Sequence, residues 1–140
     1  MKVSKYYLSW KWVEEQIDSK IDKFNDIDLQ YVSGVPRGGL IPAVMMSHIL
    51  GVKYLPYTSA ILLPEEIRNQ TLVIDDIADT GHTLLEAKEL GFVTFTLALR
   101  STSEVIPTFS GEYIVDESWL VFPWETVNSE TKQDYLLNQK

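Results

Sequence analysis

The sequence of 140 residues contains no cysteine, which excludes disulfide bonds, thiolate nucleophiles and cysteine-based metal sites. It also has little positive charge: 12 Lys and Arg against 20 Asp and Glu give a net charge of −8. Such a chain repels nucleic acid and anionic membranes. No apolar run approaches the roughly 20 residues of a membrane-spanning helix, and the start lacks the apolar core of a signal peptide. We therefore expect a cytoplasmic protein that binds neither nucleic acid nor membranes.

The residues that are present predict one α/β domain spanning residues 1–140. Their 45% hydrophobic and 23% charged content is typical of a globular domain. Apolar spacing predicts an amphipathic helix at 10–24 and a buried helix at 40–50. Further strands are predicted at 29–35, 52–57, 71–74, 92–99, 113–115 and 119–122, and further helices at 83–90 and 129–139. This alternation is typical of a mostly parallel sheet flanked by helices, which binds ligands beyond the carboxyl ends of its strands.

A polar turn follows the predicted strand that ends at Ile74. Asp75 and Asp76 place two carboxylates side by side, and such a pair can accept hydrogen bonds from a sugar diol or hold Mg²⁺. Residues 78–83 then lead into a helix, where backbone N–H groups and the hydroxyls of Thr80 and Thr83 suit a phosphate. The alternative is a solvated acidic turn followed by a helix cap.

A second small-residue turn follows the predicted strand that ends near Val35. Pro36, Arg37, Gly38 and Gly39 open into the helix at 40–50. The glycines allow backbone N–H groups to converge on an anion, and the Arg37 guanidinium matches phosphate oxygens. The alternative is a tight connection with no ligand.

Together, the two turns resemble those of type I phosphoribosyltransferases. Residues 73–83 are similar to the family's motif for 5-phosphoribosyl 1-pyrophosphate (PRPP). The resemblance implies that Asp75 and Asp76 bind the ribose hydroxyls and Mg²⁺, and that Asp79 is the general acid/base. It assigns the remaining PRPP contacts to Ala78, Asp79, Thr80, Gly81, His82 and Thr83. It assigns pyrophosphate to Pro36, Arg37, Gly38 and Gly39, with a peptide before Arg37 that is often cis.

The closer resemblance is to bacterial xanthine-guanine phosphoribosyltransferases. It covers about residues 6–125 and leaves 126–140 as a helical extension. It implies that Arg100 contacts the exocyclic oxygen of a 6-oxopurine, that Trp119 stacks on the base, and that backbone groups of Leu120 bind its edge. It also implies PRPP and a purine base as substrates, a small hood formed by the chain's ends, and a homodimer or homotetramer.

The resemblance breaks down at residues 57–70. Relatives carry a longer mobile loop there, which closes over the reacting centre. Ser59 and Arg68 are the only visible remnants, and the alternative for Arg68 is a surface charge. Closure excludes water from a reactive intermediate. The short segment therefore favours a second function, a nucleotide-sensing protein that binds PRPP with little turnover. A phosphoribosyltransferase that acts on a different base and a generic phosphate-binding domain would also fit these residues.

Overall fold

The computed structural model describes residues 4–125 and contains two parallel sheets with six helices. The strands are β1 (Lys5–Tyr7), β2 (Tyr31–Gly34), β3 (Lys53–Tyr54), β4 (Thr71–Ala78), β5 (Val93–Arg100), β6 (Phe109–Ile114) and β7 (Trp119–Val121). The helices are α1 (Trp10–Asp18), α2 (Ile21–Asn25), α3 (Leu40–Leu50), α4 (Tyr57–Ala60), α5 (Glu65–Arg68) and α6 (His82–Glu89). The predicted helix at 129–139 lies outside the described residues.

The central sheet has five parallel strands in the order β3-β2-β4-β5-β6. Alternate side chains of β4 enter different cores, because successive residues of a strand face opposite sides of the sheet. Leu72 and Ile74 pack with α1, α2 and α3, whereas Val73 packs with α4 and α6. The sheet is therefore covered on both faces, and the predicted α/β architecture, a parallel sheet flanked by helices, is confirmed.

The ends of the described chain meet in a second, two-stranded sheet. Strand β1 pairs in parallel with β7, so that Lys5 lies opposite Trp119 and Tyr6 opposite Leu120. This small sheet corresponds to the predicted hood. Among residues 4–125, no helix is long and apolar enough to cross a bilayer.

The prediction of a single helix at 10–24 was wrong, because the chain turns at Ser19 and Lys20 between α1 and α2. The Ser19 hydroxyl donates to the carbonyl of Gln16 at 2.7 Å, a local bond that competes with helix continuation. The start of α1 is as expected: the side chain of Ser9 caps it by accepting the N–H of Trp12 at 3.0 Å.

Three predicted strands had the wrong bounds. β4 does not end at residue 74 but continues through Ala78, because β5 provides a parallel partner as far as Leu99. Asp75 and Asp76 therefore lie within the strand. β3 is confined to residues 53–54, and Pro56, which has no N–H for strand pairing, precedes α4. β6 begins at Phe109 rather than 113, again by pairing with β5.

Candidate active site

Asp75 and Asp76 lie side by side in β4 and are partly buried. Each carboxylate accepts a backbone N–H at 2.8 Å, Asp75 from Asp76 and Asp76 from Ile77. Burial raises the pKa of both carboxyl groups, and the neighbouring charge of Asp76 raises the pKa of Asp75 further. Two crowded acids of this kind gain from any ligand that brings a cation or a hydrogen-bond donor.

The small-residue turn is packed directly against this acidic pair. A side chain at Gly38 would collide with the carboxylate of Asp76, and one at Gly39 would collide with the carbonyl of Ile74. The N–H of Val35 donates to that same carbonyl at 2.9 Å. The Pro36–Arg37 peptide is cis, as the resemblance implies, and the side chain of Arg37 is exposed. The structure therefore brings the two predicted anion-binding turns together.

The predicted phosphate loop leads from β4 into α6. Ala78 is buried, whereas Thr80, His82 and Thr83 are exposed. Gly81 has φ 93°, a left-handed backbone that favours glycine, and it immediately precedes the helix. The hydroxyl of Thr80 accepts the N–H of His82 at 3.4 Å. The start of α6 thus stands at the edge of the sheet where β4 ends.

Asp79 and Arg100 form an ion pair at the ends of β4 and β5. Oδ1 of Asp79 lies 2.9 Å from Nε of Arg100, and the two side chains are 34% and 14% exposed. Nη1 of Arg100 donates to the carbonyl of Asp116 at 2.9 Å. The predicted acid/base and the predicted base-contacting cation are therefore neighbours, and Arg100 links them to the segment that precedes β7.

Trp119 and Leu120 lie in β7, and both are buried. Trp119 is 7% exposed as a residue, and Nζ of Lys5 lies 5.8 Å from the centroid of its ring. With so little of Trp119 exposed, the predicted stacking of a base on it would require a rearrangement of its surroundings. The side chain of Leu120 belongs to the main core, so only its backbone is suited to contact a ligand.

The segment at 57–70 is not a loop over the site. It forms α4 and α5, which run down the α6 face of the sheet to the start of β4. Arg68 donates to the carbonyls of Leu90 and Leu63, each at 2.6 Å, and the Tyr57 hydroxyl donates to Glu86 at 2.7 Å. Arg68 matches neither expectation for it, a remnant of a mobile hood or a surface charge, because its guanidinium is bonded to two backbone carbonyls.

Sequence reasoning missed the residues that follow Arg100. The Thr102 hydroxyl donates to the carbonyl of Asp79 at 3.4 Å, and the N–H of Glu104 donates to the carbonyl of Thr80 at 3.2 Å. The hydroxyl-rich run Ser101-Thr102-Ser103, at the carboxyl end of a strand, was the available signal. The Glu104 contact uses only backbone and leaves no trace in the sequence.

The donor set fits a magnesium ion held partly by a substrate. Within residues 4–125, no cluster of three or more His, Cys, Asp or Glu side chains could hold a metal alone. Mg²⁺ in phosphate-handling sites is often bound by one or two carboxylates plus substrate oxygens. Asp75 and Asp76 supply such a pair, and a cation there would allow both carboxyl groups to be ionised.

Comparison with known proteins agrees with this geometry. No family model matches the chain. A purine phosphoribosyltransferase from Pyrococcus horikoshii has a similar structure, with TM-score 0.71 and 33% identity over 89% of this chain and 95% of that one. A xanthine-guanine phosphoribosyltransferase from Chromohalobacter salexigens is 23% identical over 89% of each chain. An orotate phosphoribosyltransferase from Sulfurisphaera tokodaii is 29% identical over 80% of this chain and 68% of its own length.

A parallel sheet with an acidic strand, a small-residue turn and a loop that leads into α6 at one edge places the chain in the class of α/β proteins with a phosphoribosyltransferase fold. The sequence identity to the P. horikoshii protein and the share of both chains that it covers then show the family: the chain belongs to the type I phosphoribosyltransferases.

Proposed function

We propose that this protein transfers the 5-phosphoribosyl group of PRPP to a ring nitrogen of a 6-oxopurine and releases pyrophosphate. One observation carries the proposal: Gly38 is packed against the carboxylate of Asp76. PRPP carries its pyrophosphate on the ribose carbon that neighbours the diol. A sugar-binding acid and a pyrophosphate-binding turn must therefore touch, as these two do.

The remaining parts of PRPP fit the neighbouring residues. Asp75 and Asp76 would accept hydrogen bonds from the ribose hydroxyls, and residues 78–83 would surround the 5′-phosphate at the start of α6. Pro36, Arg37, Gly38 and Gly39 would hold the pyrophosphate, with the exposed guanidinium of Arg37 as its cationic contact. Mg²⁺, held by Asp75 and Asp76, would supply charge neutralisation for the leaving group.

The pairing of Asp79 with Arg100 favours a 6-oxopurine. On the edge of this base that carries the exocyclic oxygen and N7, the oxygen accepts a hydrogen bond and the N–H of the N7 tautomer donates one, the proton that the base loses when N9 bonds to C1′. Arg100 offers donors beside an acceptor on Asp79, with 2.9 Å between Nε and Oδ1. A 6-aminopurine would direct an amino group at the guanidinium, where two donors oppose each other. The names of the P. horikoshii and C. salexigens proteins support a purine.

In the proposed reaction a base nitrogen bonds to C1′ of PRPP while the bond from C1′ to the pyrophosphate oxygen breaks. Positive charge develops on the ribose and negative charge on the leaving group. The backbone N–H groups of Arg37 and Gly38 and the guanidinium of Arg37 stabilise the leaving group, because Pro36 has no N–H and the N–H of Gly39 donates to the carbonyl of Val35. Asp79 accepts the proton that the base loses. No covalent nucleophile is required.

The test is a pyrophosphate-release assay with PRPP, Mg²⁺ and guanine, xanthine, hypoxanthine, adenine or orotate. We expect release with at least one 6-oxopurine and at least about tenfold lower kcat/KM with adenine and orotate, a discrimination of about 1.4 kcal/mol. Release only with orotate or adenine would refute the base assignment and leave the transfer reaction in place.

The second candidate function is a nucleotide-sensing protein that binds PRPP with little turnover. The anchoring of 57–70 through Arg68 and Tyr57 favours it, because these hydrogen bonds hold the segment against α6 and the backbone that follows it and do not leave it as a free loop. Tight binding of PRPP or a nucleotide, without release for any base, would favour this candidate over the enzyme.

A further inference from the structure

The segment 101–105, which we name the bracing loop, contacts the phosphate loop at residues 78–83. Its Thr102 hydroxyl donates to the carbonyl of Asp79 at 3.4 Å, and its Glu104 N–H donates to the carbonyl of Thr80 at 3.2 Å. A side chain at Gly81 would lie 2.8 Å from Cβ of Val105 and 2.9 Å from Oγ of Ser103. Three consecutive residues of the phosphate loop are therefore in contact with it.

These contacts determine where the phosphate loop directs its N–H groups. The carbonyl of Asp79 and the N–H of Thr80 belong to one planar peptide group, and the carbonyl of Thr80 and the N–H of Gly81 to the next. In a trans peptide the C=O and N–H point in opposite directions. Because both carbonyls are turned toward the bracing loop, both N–H groups are turned away from it. Successive N–H groups that share a direction form a concave site for an anion.

The bracing loop is itself held from several sides. The N–H of Ser103 donates to the carbonyl of Arg100 at 3.0 Å, and the Ser103 hydroxyl donates to the carbonyl of Val105 at 2.7 Å. Val105 packs against a small core that contains Ala78 and Leu84. Beyond the loop, Lys88 of α6 donates to the carbonyl of Ile106. The loop can therefore act as a firm support for its neighbour.

We propose that the bracing loop is a positioning element, which holds the peptide groups of residues 79–81 so that their N–H groups receive the 5′-phosphate of PRPP. This inference rests on the proposed function of the phosphate loop. It assigns no direct substrate contact to the bracing loop. Thr102 and the backbone N–H of Glu104 act only through the carbonyls of Asp79 and Thr80.

Two matched pairs of variants test the proposal. Glu104→Pro removes the N–H that donates to Thr80, whereas Glu104→Ala keeps it. Thr102→Val removes the hydroxyl that donates to Asp79, whereas Thr102→Ser keeps it, and Thr102 is exposed, so that its replacement leaves the core intact. Calorimetry measures the Kd for PRPP with Mg²⁺ and, separately, the Kd for pyrophosphate with Mg²⁺. Pyrophosphate reports on the turn at 36–39, which does not touch the bracing loop.

We expect Glu104→Pro to weaken PRPP binding about tenfold and Thr102→Val about threefold, the effects of losing one hydrogen bond of ordinary and of long geometry. Both control variants should stay within about twofold of the wild type. Pyrophosphate binding should be unchanged in all four, which a general loss of structure would not allow.

The inference is overturned if Thr102→Val and Glu104→Pro both leave PRPP binding unchanged, or if either weakens PRPP and pyrophosphate binding equally. Its failure differs from failure of the proposed function. If the wild type binds PRPP but transfers it to no base, the enzyme proposal fails while the binding measurements still decide the role of the bracing loop. If the wild type does not bind PRPP, both fail.

Discussion

At the scale of single residues, the carboxylate of Asp76 serves the proposed function but lowers the stability of the fold. Its carboxylate shares a confined space with Asp75 and lies against Gly38, and burial raises its pKa above the ordinary 3.8. A raised pKa in the folded state means that folding binds protons. The free energy of unfolding therefore falls as pH rises from the ordinary value through the raised one. In the absence of cation and substrate, the ionised pair opposes folding at neutral pH.

Asp76→Asn should accordingly stabilise the magnesium-free protein at pH 7, by about 1–3 kcal/mol, the usual cost of a buried uncompensated polar group. The amide keeps an oxygen for the N–H of Ile77 and adds a donor for Asp75. Urea unfolding at several pH values should show the gain shrinking toward pH 4, while pyrophosphate release falls about 100-fold or more. Asp22→Asn, at an exposed acid in α2, is the control. A destabilised Asp76→Asn variant would contradict this account.

Arg100 is the second residue at which one side chain joins several parts of the site. Its Nε reaches Asp79 and its Nη1 reaches the carbonyl of Asp116. Arg100→Lys keeps the charge but cannot make both contacts in the same fork geometry. We expect the KM for the purine to rise about tenfold and the KM for PRPP to change less than threefold, measured by steady-state kinetics. Equal rises in both values would show that Arg100 supports the whole site and does not read the base.

At the scale of elements, the segment at 57–70 differs from the mobile hood loop of relatives, because it forms the helices α4 and α5. Arg68 makes two short hydrogen bonds to backbone carbonyls, and charged donors of this kind typically contribute about 1.5–3 kcal/mol each. Because the guanidinium is only partly buried, the sum will be smaller. Arg68→Ala should lower the free energy of unfolding by about 2 kcal/mol and leave kcat/KM within about twofold.

Arg37→Ala is the matched comparison, since both residues are arginines in short connecting segments. The side chain of Arg37 is exposed beside the turn at 36–39, and its loss should weaken pyrophosphate binding about tenfold with little change in unfolding. Chemical denaturation and calorimetry on the two variants check this crossed pattern. If Arg68→Ala impaired catalysis without changing stability, a hood role for 57–70 would be restored.

Elements were predictable from the sequence where the signal is local, and less so where a partner decides. Helix α3 matches its predicted bounds because its eleven residues, ten of them apolar or small, are followed by Gly51, whose φ of 66° ends the helix. The extension of β4 to Ala78 depends on the length of β5, its pairing partner. The residues of β4 themselves give no sign of that length. The path of residues 57–70 depends on the hydrogen bond from Arg68 to the carbonyl of Leu90, which lies 22 residues further along the chain. The acidic pair and both turns were found because their signal is local: adjacent acids, glycines and hydroxyl residues stand together in short stretches of the sequence.

At the scale of the whole molecule, the charge distribution leaves one surface suited to self-association. The net charge of −8 makes two copies repel, yet α3 contains no Lys, Arg, Asp or Glu. Its outer face exposes Ile41, Val44 and Ile49 by 37%, 45% and 49%. A second copy that packed its own α3 here would meet the same uncharged apolar surface, and a two-fold symmetric interface pairs a surface with itself in this way. The same helix begins after the turn at 36–39, so that association there would also border the candidate site.

Val44→Glu should therefore convert a homodimer into monomers, because it places two like charges near the symmetry axis of an apolar contact. Sedimentation velocity at micromolar concentration measures the change. Leu62→Glu is the control, since Leu62 is 82% exposed in the turn after α4 and away from α3. A monomeric wild type, or a Val44→Glu variant that remained dimeric, would exclude α3 as the interface. The variant should stay folded, because Val44 faces away from the core that α3 shares with β2 and β4.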